Sequence, residues 1–311
     1  MLNIPPEVSR YLKSLFRKCN RQAALKLTRI PNVHEEWLDF AIIEQLTQVS
    51  VPVRFHGDWT VTINAHWLGS APLEFFHKWE IADIGLLVVF SSGGKVVRSK
   101  IALLQSKRLY PNEQELQSDD ENFERYRRGF GGLYPTDAEL SALSGGRTFT
   151  FTDNSQYKAL QPSAPQFSRI ADYEGRTQIP VYYLLYNPFD VPHKVNVPLT
   201  TLKPGKRCKV GCRVIPARTL REMLSRRKED SGAPSFRQIR DRIMLPSPSN
   251  AGWALEHFVV DLLLQCKTGR ITDDRRDPGL YEAFNRRSGP IAAAVSIGLD
   301  APSGFDWSPV P

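Results

Sequence analysis

The apolar residues Val8, Tyr11, Leu12, Leu15 and Phe16 recur at helical spacing near the start of the chain, with Lys and Arg on the opposite face. This predicts one or two helices over 6–29, broken by Pro31-Asn32. A second helix is expected from about His34 to Gln48, with Trp37, Phe40, Ala41 and Ile43 on its buried side. The pattern then changes period. Val51–Phe55 and Thr60–Ile63 are rich in β-formers and flank a Gly57-Asp58 turn, which predicts a short hairpin. Ile81–Phe90 is a strong strand, Ser91-Ser92-Gly93-Gly94 a turn, and Lys95–Lys107 a second strand ending on Ile-Ala-Leu-Leu.

Further along, 111–146 is polar, acidic and then glycine-rich, with a loop at RGFGGLYP. A short strand is expected over 148–152, a helix over Pro165–Tyr173 and a buried strand over Val181–Tyr186, stopped by Asn187-Pro188. After residue 198 the chain is richer in Arg and Lys. PSPSN at 246–250 marks a joint, and Trp253–Lys267 reads as an amphipathic helix. The run IAAAVSIGL at 291–299 fits a strand or a buried helix equally well by period.

With 311 residues and 41% hydrophobic content, the chain can bury a sizeable core in one large domain or two smaller ones. It carries 41 Lys and Arg against 33 Asp and Glu, and a net charge of +8 favours a polyanionic partner. The longest apolar runs fall well short of the roughly 18 residues of a membrane span. Charges at Glu7, Arg10, Lys13, Arg17 and Lys18 interrupt any secretory pattern, so a cytoplasmic protein without a membrane partner is expected. Cys208 and Cys212 form a C-x3-C pair, but Cys19 and Cys266 stand alone, which argues against both a disulfide framework and a zinc site. His56, His66 and His77 lack ligand spacing, and GFGG at 129–132 lacks the strand and helix that a phosphate cradle needs.

Chemistry concentrates in the hairpin of residues 80–107. A turn centred on Ser92–Gly94 places Asp83 opposite Leu103, two positions from Gln105, and Glu80 near Gln105 or Ser106. Gln105 and Lys107 share a face because side chains alternate along a strand. An acid and an amide carbonyl suit Mg²⁺, which polarises a phosphate and acidifies bound water. A lysine beside them orients that water or stabilises charge developing on phosphorus. Asp83 is then the anionic ligand, Gln105 the neutral one, the Ser106 carbonyl an additional ligand and Lys107 the water-positioning group, while Glu80 is either a further metal ligand or outer partner of the site, or a salt-bridge partner for a nearby Arg.

Asp83 followed by the triplet Gln105-Ser106-Lys107 resembles the PD-(D/E)XK nuclease superfamily in its Gln-x-Lys variant, similar to Mrr-type restriction endonucleases and nuclease domains of bacterial anti-phage systems. Ala82 stands where many members have Pro. The resemblance implies a glutamate on the helix before the core sheet, with Glu36 first and Glu44 second, and a helix after the catalytic strands on which Gln166 is a candidate. It further implies an endonuclease acting on DNA before RNA with Mg²⁺ or Mn²⁺, in defence against foreign DNA. Homo-oligomerisation and activation by a partner protein or nucleotide signal are left open by the sequence.

The expected fold is α/β: a restriction-endonuclease-like mixed central sheet flanked by helices. Its divisions are an N-terminal helical segment over 1–30, a nuclease core over 31–198, and an appended basic region over 199–311. Lys107, Arg108, Arg127 and Arg128, with the basic segments 203–228 and 237–242, are candidate nucleic-acid contacts. Two other readings fit the same residues. One is a non-catalytic nucleic-acid-binding or scaffold subunit that keeps the nuclease fold. The other is an unrelated α/β protein in which Asp83 and Lys107 form a structural ion pair.

Overall fold

The computed structural model describes residues 2–68, 81–113, 147–161, 164–197, 208–226, 232–242, 244–245, 249–250, 252–274, 276–284 and 290–308. Glu80, His77, Arg127 and Arg128 lie outside them.

Helix α1 (Pro6–Arg29) is continuous and buries Val8, Leu12, Leu15, Phe16, Ala23 and Leu27. It packs on α2 (Glu35–Thr47), whose buried positions are Leu38, Asp39, Ala41, Ile42, Ile43 and Leu46. Of the expected inward face of this second helix, Ala41 and Ile43 are buried and the two aromatics are not. Trp37 and Phe40 point outward at 56% and 40% exposure, and the acid Asp39 points inward. Aromatic character misassigned the face: the outer aromatics find contacts at the rim, Trp37 under Lys26 and Phe40 edge-on to Trp67.

Strands β1 (Val53–Phe55) and β2 (Trp59–Trp67) form the expected hairpin. β3 (Ala82–Ser92) and β4 (Lys95–Arg108) form the central one. Gly93 and Gly94 both take positive φ, at 55° and 78°, as a two-residue hairpin turn requires. A bulge between Phe90 and Ser91 shifts the pairing, so that Ile84 lies opposite Leu104. Continued outward, that register sets Asp83 opposite Gln105, two residues from the expected Leu103: one comes from the turn, which pairs Ser92 with Lys95, and one from the bulge.

From β4 the chain continues through β5 (Arg147–Phe151) and α3 (Pro165–Thr177) to β6 (Val181–Tyr186), which returns parallel to β4. All six residues of β6 are buried, as expected of an apolar run covered on both faces. β5 pairs with β7 (His193–Val197) in a separate two-stranded sheet.

The last third of the chain is woven into the main sheet. β8 (Arg213–Pro216), β11 (Trp253–Ala254), β12 (Arg270–Thr272) and β13 (Ile291–Ala301) all belong to it, while β9 (Met244–Leu245) and β10 (Ser249–Asn250) pair with each other. The order is β1-β2-β13-β3-β4-β6-β8-β11, with β12 paired to β4, giving a mixed nine-stranded sheet flanked by helices. β13 is parallel to β3 and antiparallel to β2. The ambiguous IAAAVSIGL run is therefore a central strand, and its first residue explains a glycine in its neighbour: the side chain of Ile291 comes so close to Gly85 that a Cβ there would sit 2.7 Å from it. The expected divisions near residues 30 and 198 do not separate sheets, and the basic region over 199–311 is not an appended layer. The segment expected to be one helix over Trp253–Lys267 instead enters as β11, makes one turn of helix (Leu255–His257) and continues as a π-helix (Phe258–Leu263) against α1. No described helix is long and apolar enough to cross a membrane.

Candidate active site at the end of the central hairpin

The β3–β4 ladder ends at Ile84 and Leu104, and the next residues on each strand meet through side chains. Asp83 Oδ2 accepts two hydrogen bonds of 2.6 Å, one from Gln105 Nε2 and one from the Ser106 backbone N–H. Helix α2 closes this end from the other side. Glu35 accepts from Lys107 Nζ and from the Arg108 backbone N–H, both at 3.1 Å. One helical turn on, Asp39 Oδ1 accepts from Ser106 Oγ and from Tyr186 OH, each at 2.5 Å. Side chains alternate along β4, so Gln105 and Lys107 lie on one face and Ser106 on the other, and α2 reaches both at the strand end, Glu35 meeting Lys107 and Asp39 meeting Ser106.

Burial makes this cluster electrostatically tense. Asp39 is fully inaccessible, Gln105 is 4% exposed and Lys107 7%. Burial raises the Asp83 carboxyl to about 6, with Glu35 and Glu36 pushing the same way, against the pull of Lys107 and the Ser106 N–H. Asp39 is raised well above the carboxylate range, first by burial and then by Asp83, although Ser106 and Tyr186 donate to it. Burial pulls the Lys107 ammonium down, but Glu35, Asp83 and Asp39 together outweigh it, and its pKa ends above the ordinary value. One lysine thus faces three nearby acids.

Two buried acceptors complete the picture. Gln105 Oε1 and Asp39 Oδ2 have no hydrogen-bond donor. Orphaned buried acceptors are costly, and an excess of acceptors over donors is what an oxygen-ligated divalent cation satisfies. The residues therefore fit Mg²⁺ or Mn²⁺ held by Asp83, Gln105 Oε1 and the Ser106 carbonyl, with Asp39 behind them. Among the described residues, no three His, Cys, Asp or Glu side chains gather into a ligand set. A cation at this strand end would accordingly be held by one carboxylate with neutral oxygens.

The hairpin brings together Asp83, Gln105, Ser106 and Lys107 as the sequence led us to expect. The helix acids were misplaced. Glu36 is exposed and acts on Asp83 only through its charge, whereas Glu35 and Asp39 make the contacts. Glu44 lines a groove between α1 and α2. The i, i+4 spacing of Glu35 and Asp39, on the face shared with Leu38 and Ile42, was the available signal. The ion-pair reading is corrected in its partner, since Lys107 bonds Glu35 rather than Asp83. Arg108 is only 1% exposed; it bonds the Pro31 carbonyl and stacks on Tyr110, which removes it from a surface role on phosphates. In the basic C-terminal segments, Arg237 and Arg240 pair with Asp153 and Arg218 with Glu222. Gln166 is half-buried at the start of α3.

Comparison of the chain with protein-family models, curated proteins and solved structures finds no match.

Proposed function

We propose that the protein is a divalent-metal-dependent nuclease that hydrolyses phosphodiester bonds, with DNA preferred over RNA. The observation that carries this reading is the meeting of Asp83, Gln105 and Lys107 at one buried strand end, with Gln105 Oε1 and Asp39 Oδ2 lacking donors. Helix α2 before the hairpin, and α3 leading to parallel β6 after it, support a restriction-endonuclease-like core. Bound there, Mg²⁺ or Mn²⁺ supplies Lewis-acid polarisation of the phosphate and a more acidic water.

The chain's own residues do the rest. Asp83 supplies the formal negative charge, and the Ser106 N–H fixes its orientation. Gln105 supplies a neutral oxygen, which makes for a weaker cation site than two acids would. Lys107 keeps its proton, and Glu35 aims its ammonium at the end of β4, where it stabilises charge on a phosphate oxygen or orients water. The resemblance of the Gln-x-Lys hairpin to anti-phage nuclease domains suggests defence against foreign DNA.

A second reading has its own observation. Asp83 is already bonded by Gln105 and Ser106, and Lys107 by Glu35, so most of the cluster is satisfied without a cation. That arrangement suits a nucleic-acid-binding subunit that has kept the fold. Incubating the protein with plasmid and with single-stranded DNA, in Mg²⁺, Mn²⁺ or EDTA, separates the two. Cleavage that needs metal and is lost in Lys107→Ala supports the nuclease; binding without cleavage in every metal favours the subunit.

A further inference from the structure

Among the buried polar atoms without a partner outside the candidate active site, the Lys100 amine is the one that carries a full charge on a single nitrogen. Lys100 lies in the middle of β4, opposite Val88 on one side and Ile271 on the other, with no accessible surface. Its Nζ makes no hydrogen bond to any oxygen or nitrogen. A buried, unpaired ammonium is among the most expensive groups a protein can hold, and the usual relief is loss of the proton. Burial indeed lowers the Lys100 pKa, helped by the charge of Arg98.

The stem of Lys100 runs beneath the turn that joins the π-helix to β12. Its Cε lies 3.0 Å from where a Cβ on Gly269 would sit, so glycine is required there, and φ of +84° demands it as well. In the same turn Cys266 takes a positive φ of 57°, unusual for a residue with a side chain, and packs against the core. Its thiol is the polar group that faces the amine and supports its charge. Cys266 is partly exposed, while Cys19 and Cys212 are buried and the burial of Cys19 and Cys208 pushes both thiols up to about 12.

We propose that Lys100 and Cys266 form an oxidant-sensitive pair that closes into a reversible covalent cross-link between β4 and the 264–269 turn. The thiol supplies the accessible, oxidisable atom, and the buried amine supplies a nucleophile held against it. Hydrogen peroxide is the oxidant. Cys266 attacks one peroxide oxygen, the O–O bond breaks, and the thiol becomes a sulfenic acid with release of water. The Lys100 nitrogen, in its deprotonated form, then attacks that sulfur. The S–O bond breaks, hydroxide leaves with an amine proton as a second water, and an N–S bond remains. Overall the pair loses two hydrogens and peroxide is reduced to two waters. A thiol reductant reverses the change by attacking sulfur and returning the amine.

The test is peptide mapping of the full chain after brief peroxide treatment, with remaining thiols alkylated and digestion under non-reducing conditions. A linked peptide containing Lys100 and Cys266, lighter than the sum of its parts by two hydrogen masses and separated by dithiothreitol, is expected. Cys266 should react roughly tenfold or more faster than Cys19, whose buried thiol is held protonated. In Lys100→Met, which keeps the buried volume, the link is absent and dimedone traps Cys266 as sulfenic acid instead. The wild-type map stands by itself should that variant fail to fold. Unmodified Cys266, or Cys266 recovered only as a dimedone adduct or higher oxide in the wild type, overturns the proposal.

Discussion

Gln105 Nε2 donates to Asp83 Oδ2 at 2.6 Å, across a register that exists only because a bulge at Phe90 and Ser91 shifts the hairpin. Two small features of backbone geometry, the two-glycine turn and that bulge, therefore decide which residues share the site. Deleting the bulge would return Asp83 to an apolar neighbour.

The pairing predicts a gain-of-binding variant. Gln105→Glu replaces the neutral oxygen by a second carboxylate beside one already raised to about 6. Without metal the variant should be less stable than wild type near neutral pH, because two buried like charges oppose each other. With metal the order reverses: Mn²⁺ affinity should rise by about tenfold or more, as ligand charge increases. Thermal unfolding with Mn²⁺ and with EDTA reads both effects. Equal midpoints in the two conditions would mean that Gln105 is not a ligand.

Lys107→Ala is expected to reduce cleavage by roughly 10²–10⁴-fold, the range for removing a positioned proton-transfer or charge-stabilising group. It also strips Glu35 of its cation. Glu35 retains the Arg108 N–H, so the fold should survive with reduced stability. Circular dichroism separates that loss from unfolding, and Lys107→Arg, which keeps the charge, should recover stability more than activity.

The Asp83 titration carries a signed prediction. An acid whose folded pKa of about 6 exceeds its ordinary 3.8 holds its proton more tightly folded than unfolded. The stability it contributes is complete below about 4, is lost as pH rises through about 6, and does not return at higher pH. In EDTA, Asp83→Asn should therefore be more stable than wild type at neutral pH, and the two should converge in acid. Asp39 is raised in the same sense, so the variant flattens the wild-type fall without abolishing it. Metal competes with that proton, so Mg²⁺ affinity of the wild type should rise steeply as pH passes through about 6. A pH-independent affinity would remove Asp83 from the ligand set.

Much of the frame was readable from the sequence because periodicity is a local property. α1, the β1–β2 and β3–β4 hairpins and β6 all lie where apolar spacing and turn residues put them. What escaped depended on distant partners. The run IAAAVSIGL has no period of its own, and its place as a strand is set by β2 and β3, more than two hundred residues earlier, between which it lies. The π-helix after Trp253 reads as ordinary amphipathic helix, because a π turn differs from an α turn by a single register step. In the site, the hairpin triplet was legible as a motif, whereas Asp39 was not. An acid amid apolar residues reads as solvent-facing until Ser106 and Tyr186 are brought to it by β4 and β6. The favoured Glu36 differs from Glu35 by one step of 100° around α2, and only packing fixes which faces the strand.

The Asp39–Ser106–Tyr186 group gives the last prediction. Both hydroxyls donate to one oxygen of a carboxylate with no accessible surface. Removing either hydroxyl leaves Asp39 with one donor instead of two, so Ser106→Ala and Tyr186→Phe should each cost about 1–3 kcal/mol. Asp39→Ala should cost more than either, since it strands both hydroxyls at once. Because the two hydroxyls share an acceptor, the double variant should depart from additivity by roughly 0.5–3 kcal/mol. Ser106 also holds Asp83 through its backbone N–H, so loosening its side chain should weaken Mn²⁺ binding in Ser106→Ala, whereas Tyr186→Phe should leave it nearly unchanged. Urea unfolding of the four proteins completes the cycle, and calorimetric Mn²⁺ titration checks the asymmetry. Additive costs, or equal losses of metal affinity in both single variants, would show that Asp39 serves the core alone and does not support the strand end that carries Asp83.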